Sequence, residues 1–257
     1  MRFLLTNDDG IYAHGLLAMK NELEKYGHVT VIAPITEQSA VGHTITIADP
    51  IKVKPVQRAG GFFGYGIAGS PADCVKLGIS CIMDNKPDVV VSGINRGENI
   101  GINALYSGTV SAATEALILG FTGIAVSVDE YVDPDYSAAS TFAARLAHLL
   151  ALKGIRLPFA LNVNCPSTTL ERIKGVRITR QGESRFTDKF VKREDPRGNT
   201  YYWQAGRTKI VDDGEDTDAV CLKKGMISIT PIHYRLGWRG DLDSLKGLDL
   251  EGLLNGS

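Results

Sequence analysis

The 257-residue chain lacks the common signatures of nucleotide and metal chemistry. No Gly-Lys-Ser/Thr occurs, so there is no Walker-type phosphate loop, and no G-x-G-x-x-G follows the first apolar run. A G-x-S-x-G elbow in nucleophile position, an H-E-x-x-H helix and paired Cys/His zinc spacing are also missing. These absences weigh against P-loop NTPases, dinucleotide dehydrogenases, serine hydrolases and zinc enzymes. The four cysteines form no C-x-x-C and sit in core-like segments, which reads as reduced, buried thiols. Charge of either sign is not in excess: 28 Lys and Arg against 29 Asp and Glu leave a net charge of −1, with no global basic field for nucleic acid or anionic membrane. No apolar run reaches the ~20 residues needed to span a bilayer. Polar residues appear by Asn7, which argues against a signal peptide, so a cytoplasmic protein is expected.

What is present is an alternation of apolar runs and helical periods. Met1–Thr6 reads as a buried strand ending at Asn-Asp-Asp-Gly, Ala13–Tyr26 as a helix with Gly27 as its C-cap, and His28–Ala33 as a second strand. Thr44–Ala48, Ile51–Val56 and Phe63–Ile67 read as short strands of a hairpin excursion. Ser70-Pro71 is an N-cap and N1 pair opening a helix. Asp88–Ser92 is a central strand running into a Gly/Asn-rich loop that contains Asn95. A helix over Ser107–Leu119, a strand over Gly123–Val128, a helix over Tyr136–Leu152 and a strand over Phe159–Asn164 complete the alternation. The pattern predicts an α/β fold, a Rossmann-like, mostly parallel sheet with helices on both faces. The catalytic core is expected over 1–165. A C-terminal segment, 166–257, is expected to carry a projecting polar arm at about 181–218, a helix over Asp216–Lys224, a strand over Met226–Pro231 and a terminal helix over Leu242–Leu254.

Asp8 and Asp9 are the first candidates for chemistry. Neighbouring side chains on a strand point to opposite faces, so two adjacent carboxylates converge only where the backbone leaves the extended state, and Gly10 gives that freedom. The bland alternative is an Asx turn or a helix cap. Ser39 and Asn95 also follow predicted strand ends. The four together offer two carboxylates, a hydroxyl and an amide carbonyl, an all-oxygen set suited to one hard divalent ion, Mg²⁺ or Mn²⁺. Ser107, Gly108 and Thr109 open a helix whose N-terminus favours phosphate, although plain N-capping explains them as well. Of the five histidines, His43 is the one expected to border a site.

Five short motifs stand in one order: Asn7–Gly10, Gln38–His43, Gly69–Val75, Ser92–Asn99 and Tyr106–Val110. Together they resemble the SurE family, the stationary-phase survival proteins that are metal-dependent nucleotidases. The resemblance continues through Asp195–Gly198, Tyr202-Trp203 and Ser228–Pro231, and departs at Ile232–Leu236, where a more acidic segment is expected. It implies a Rossmann-like core and a divalent ion (Mg²⁺, Mn²⁺ or Co²⁺) on Asp8, Asp9, Ser39 and Asn95. It implies hydrolysis of nucleoside 5′- and 3′-monophosphates, with short polyphosphate as a further substrate. It also implies homodimers or homotetramers that exchange C-terminal segments. On this reading Asp8 and Asp9 are catalytic, metal-activated water attacks the ester, and Asn99, Ser107, Gly108 and Thr109 hold the phosphate. Three rivals stay open: a phosphoaspartyl intermediate, a nucleotide-binding module without catalysis, and a nucleic-acid binder using the arm. Acidic residues dilute the arm's basic charge, so no membrane and no stable nucleic-acid partner is expected.

Overall fold

The computed structural model describes residues 1–187, 189–212 and 214–237; the helix expected over Leu242–Leu254 lies outside them. The chain alternates β1 (Arg2–Thr6), α1 (His14–Leu23), β2 (His28–Pro34), β3 (Val53–Arg58), β4 (Gly61–Ile67), α2 (Pro71–Leu77), β5 (Val89–Arg96), α3 (Gly108–Ile118), β6 (Thr122–Val128), α4 (Ser137–Leu152) and β7 (Ala160–Cys165). The later segment adds β8 (Val176–Ile178), β9 (Arg185–Phe186), β10 (Lys189–Glu194), β11 (Thr200–Ala205), β12 (Thr208–Lys209), α5 (Asp218–Lys223) and β13 (Ile227–Ile232). Nine strands form one sheet in the order β3-β4-β2-β1-β5-β6-β7-β13-β8. From β4 to β7 every pair is parallel; β3 and β13 pair antiparallel with their inner neighbours.

Alternation along the strands builds two cores. Phe3, Leu5, Val29, Val31, Val89 and Val91 face one side, against Leu16, Met19 and Leu23 of α1 and the alanine-rich face of α4. Leu4, Ile32 and Val90 face the other, against Cys74 and Val75 of α2 and Ala112 and Ala116 of α3. Helices cover both faces, as the near-continuous apolar strands demand. Small residues let helix and sheet approach: a Cβ on Gly15 would lie 2.1 Å from the Ile94 carbonyl oxygen. Cys74, Cys165 and Cys221 are buried, but Cys81 is exposed, contrary to the expectation of uniformly buried thiols.

Three local readings change. Helix α1 ends at Leu23 with Glu24 as C-cap, so Gly27 is not the cap; it passes the Met1 carbonyl so closely that a Cβ would stand 2.4 Å from it. Thr44–Ala48 is not a strand. Its polar groups serve the start of α2 instead: Thr46 N–H and hydroxyl donate to Asp73, and Ser70 Oγ donates to the Thr44 carbonyl at 2.6 Å. Ser70 and Asp73 close a reciprocal capping box, as the Ser-Pro start of α2 led us to expect. Finally, Asn95 lies within β5 rather than in a loop. The strand continues past a register irregularity between Ser92 and Asn95, where Gly93 has φ +139° and lies against Val126 of β6.

The order of the parallel strands sets the site. The chain winds outward from β1 through β2 to β4, then returns to place β5 on the other side of β1. The switch point is therefore between β1 and β5, and ligands of such sheets bind outside the carboxyl ends of the strands there. The C-terminal segment contributes β13 to the same sheet, while β10 and β11 form an exposed six-pair antiparallel hairpin.

Candidate active site

Asp8 and Asp9 follow β1 after Asn7, and Asn95 is the penultimate residue of the neighbouring β5. The turn at Gly10 has φ +99°, and Asn7 Nδ2 braces it by donating to the Gly10 carbonyl at 3.0 Å. Gln38 N–H donates to the Asp8 carbonyl at 2.8 Å, which draws the loop carrying Ser39 to the same edge. All four residues line one cleft of about 1020 Å³.

Asp8 is buried and held by the start of α3. Thr109 N–H donates to its Oδ2 at 3.0 Å, and the Thr109 hydroxyl donates to its Oδ1. Burial pushes the Asp8 carboxyl above its ordinary value, and the two Thr109 hydrogen bonds pull it back in part. Burial, then the charge of Asp8, raise Asp9 from 3.8 to about 6. Arg96 offsets this weakly: its N–H donates to Asp9 Oδ2 at 3.2 Å, while its guanidinium stays 3.8 Å from Oδ1. Asn95 Nδ2 donates to the Arg96 and Gly97 carbonyls at 3.1 and 2.8 Å, so Oδ1 is the atom left for a cation. Ser39 Oγ donates to Glu37 at 2.5 Å.

This donor set fits a hard divalent ion. Two buried, mutually repelling carboxylates with one distant guanidinium are costly as they stand, and a dication between them removes that cost. Among the described residues no three His, Cys, Asp or Glu side chains gather into a metal site, so a nitrogen- or sulfur-rich centre is not offered elsewhere.

The anion-binding expectations meet a mixed geometry. Ser107 lines the cleft and caps α3, accepting from Val110 N–H at 3.1 Å. Gly108 packs against the acid pair, since a Cβ there would lie 2.9 Å from the Asp8 Cβ. Thr109 is buried, with both donors engaged by Asp8. Asn99 lines the cleft; its N–H and carbonyl are fixed by Asn164 and Asn162, and its Nδ2 donates to Ser127 at 2.8 Å. His43 is not among the lining residues. It bonds the buried Glu115 at 2.7 Å, with Lys76 on the other carboxylate oxygen at 3.0 Å, and so clasps the Ser39 loop onto α3.

Further residues line the cleft. Arg96, Glu98 and Tyr106 lie within the sequence motifs without having been singled out, whereas Glu37, Asn103 and Tyr131, and Arg185, Phe186, Gln204 and Thr208 from the root of the arm, had no sequence signal. The root is bound to the wall of the cleft through Ile102 N–H to the Ser184 carbonyl, Phe186 N–H to Asn103 and Gln181 Nε2 to the Gly101 carbonyl. Asp218 joins the two from beneath, accepting from Gly101 N–H at 2.8 Å and Gly182 N–H at 3.0 Å.

Fold and site define a class: doubly wound α/β proteins with an acidic, all-oxygen cluster at the switch point. Comparison with known proteins gives the family. The family model for survival protein SurE matches residues 3–188. The chain is 48% identical over 245 residues to the 5′-nucleotidase SurE of Syntrophobacter fumaroxidans, covering 95% of this chain and 98% of that one. It is 47% identical to the 5′-nucleotidase SurE of Syntrophus aciditrophicus, covering 96% and 94%. The crystal structure of the SurE protein from Aquifex aeolicus superposes with a TM-score of 0.83 at 36% identity, covering 96% of this chain and 98% of that one. The chain belongs to the SurE family.

Proposed function

We propose that this protein is a divalent-metal-dependent phosphomonoesterase that hydrolyses nucleoside 5′- and 3′-monophosphates, with short polyphosphate as a further substrate. The observation that carries the reading is the buried acid pair at the β1/β5 switch point, open to a cleft and without a close cationic partner. The names of its relatives, 5′-nucleotidases, agree with it.

Asp8, Asp9, Ser39 and Asn95 would hold one ion per subunit, Mg²⁺ or Mn²⁺ by donor chemistry, with Co²⁺ a third candidate. Such an ion, when bound, supplies charge for a phosphate oxygen and acidifies a bound water. The chain supplies the rest. Thr109 holds Asp8 in one rotamer. Ser107 and the Gly108 N–H lie at the positive end of α3, where phosphate oxygens are favoured. Asn99, fixed on three sides and lining the cleft, would offer its remaining amide hydrogen to a phosphate oxygen. Attack by water, rather than by an aspartate, suits adjacent carboxylates that face one ion.

For assembly, we infer a homodimer or homotetramer built through exchange of C-terminal segments. Phe190 and Tyr202 on one face of the β10–β11 hairpin and Trp203 on the other are each about 60% exposed (61%, 61% and 60%), aromatic surface that suits a partner copy. No described helix is long and apolar enough to cross a membrane. A cytoplasmic site of action fits the free cysteines.

The test is a panel of nucleoside 5′- and 3′-monophosphates, tripolyphosphate and sugar phosphates, assayed with Mg²⁺, Mn²⁺, Co²⁺ and chelator. The expected result is metal-dependent release of phosphate, fastest from nucleotides. Nucleotide binding that ignores chelator, with no turnover under any metal, would show a binding module instead. Label from ¹⁸O-water appearing first in a protein carboxylate would show the phosphoaspartyl route.

A further inference from the structure

Two cleft acids, Glu37 and Glu98, have no task in the reaction; Glu37 accepts from Ser39, which leaves Glu98. It follows Asn95 by three residues and lies beside Asn99, half-buried and lining the cleft. Among the described residues no salt bridge closes on its carboxylate; only its own N–H and the Thr208 hydroxyl ease its charge. Burial, and then the charges of Asp129 and Glu130, push its carboxyl above the ordinary value. Those two neighbours are already satisfied. Glu130 accepts from Tyr131 and Val132 N–H at 2.8 and 2.9 Å, and Asp129 accepts from Ser167 N–H at 2.7 Å. They do not gather with Glu98 into a metal site.

A half-buried carboxylate in a substrate cleft, eased only by its own N–H and Thr208, keeps acceptor capacity for a ligand with donors. Phosphate is excluded by charge. A stacking surface stands beside it. Gly97 has φ +92°, and the Tyr131 ring lies so close to it that a Cβ would sit 2.1 Å from the ring. Tyr131 is itself 60% exposed, and Tyr106 and Phe186 line the same cleft. A carboxylate acceptor next to an aromatic face matches what a nucleoside presents: ribose hydroxyls and a base plane. Glu98 lines the same cleft as Asp8, Asp9 and Asn95 and follows Asn95 by three residues, a span of at most ~10 Å of chain.

Resting on the nucleotidase reading above, we propose that Glu98 receives the free ribose hydroxyls of the substrate, the 2′,3′-diol in a nucleoside 5′-monophosphate, with Tyr131 beside it as a wall for the base, and that this pair makes the enzyme prefer ribonucleotides over deoxyribonucleotides.

The experiment compares kcat/KM for AMP, 2′-deoxy-AMP and 2′,3′-dideoxy-AMP, with Mn²⁺, in the wild type, Glu98→Gln and Glu98→Ala. A hydroxyl bonded to a charged acceptor predicts a wild-type preference for AMP over the dideoxy substrate of roughly 10- to 100-fold. Glu98→Ala should bring that ratio close to one, and Glu98→Gln, which keeps one acceptor oxygen, should fall between. A role confined to structure or to repulsion of phosphate would move all three substrates together and leave the ratio intact. An unchanged ratio in Glu98→Ala, or equal turnover of the three substrates by the wild type, overturns the inference and spares the nucleotidase reading. No metal-dependent turnover of any nucleotide by the wild type sinks both. Glu98→Gln has the same shape and keeps an oxygen for its own N–H and Thr208, so a thermal melt near wild type is expected; if only Glu98→Ala fails to fold, the Gln ratio decides.

Discussion

Asp9→Asn should make the metal-free protein more stable while destroying its reaction. The Asp9 side chain is only 9% exposed, and its carboxyl is raised from 3.8 to about 6 by burial and by Asp8. A raised folded value means that the fold prefers the protonated form. The metal-free wild type is therefore most stable below about pH 3.8 with respect to this group, loses stability as pH rises toward 6, and carries the full penalty above it. That penalty is ~3 kcal/mol at pH 7.5. An asparagine cannot ionise, and its Oδ1 can still accept from Arg96 N–H. Losing the 3.8 Å contact to the half-exposed guanidinium costs little. The expected net gain is ~1–3 kcal/mol at pH 7.5 in chelator, shrinking between pH 6 and pH 4. Urea denaturation of both proteins across that range measures it directly. With Mn²⁺ at about 1,000 times its Kd the order should reverse, because the wild type gains ~4.1 kcal/mol from binding and the variant gains almost nothing. If Asp9→Asn in chelator is no more stable than wild type at pH 7.5, or if the gap does not depend on pH, the account of the acid pair is wrong.

Three further outcomes are expected. Thr109→Val keeps the shape of the side chain but removes a hydrogen bond to a buried carboxylate, worth ~1.5–3 kcal/mol; calorimetric Mn²⁺ titration should show weaker binding, with an altered enthalpy. Gly15→Ala places a Cβ 2.1 Å from the Ile94 carbonyl oxygen and should destabilise by more than ~3 kcal/mol or abolish soluble expression, whereas Gly60→Ala, with open space around it, should cost about 1 kcal/mol of backbone strain. Burial raises Glu115, but hydrogen bonds from His43 and Lys76 outweigh it and hold the carboxyl below its ordinary 4.5. Its stabilisation is therefore complete above pH 4.5 and lost as pH falls through the lowered folded value, so Glu115→Gln should flatten that acid limb in a series of thermal melts.

The sheet was legible because its strands are apolar on both faces and its helices periodic, and β1 to β7 follow the expected alternation. The capping of α2 was legible because Ser-Pro has one strong local meaning. Thr44–Ala48 misled because β-branched residues suggest a ladder, while its backbone groups are claimed by Ser70 and Asp73, an interaction no local window contains. Asn95 looked like a loop residue because two glycines flank its segment, yet the Gly93 conformation lets the strand carry on. The acid pair and its neighbours carried a readable donor chemistry. The far wall did not: Arg185, Phe186, Gln204 and Thr208 are ordinary polar-arm residues until long-range pairing places them opposite Asn103 and Glu98.

The Asp218 carboxylate, fully buried, grips the backbone of the cleft wall at Gly101 and of the arm at Gly182. The hairpin is thus a lever with a fixed fulcrum. Its tip, the Asp195–Asn199 turn, is solvated and bonded mainly to itself, so a short peptide tag or a dye attached there should go unnoticed by the reaction. The same addition at Gly182 would twist the mouth of the cleft.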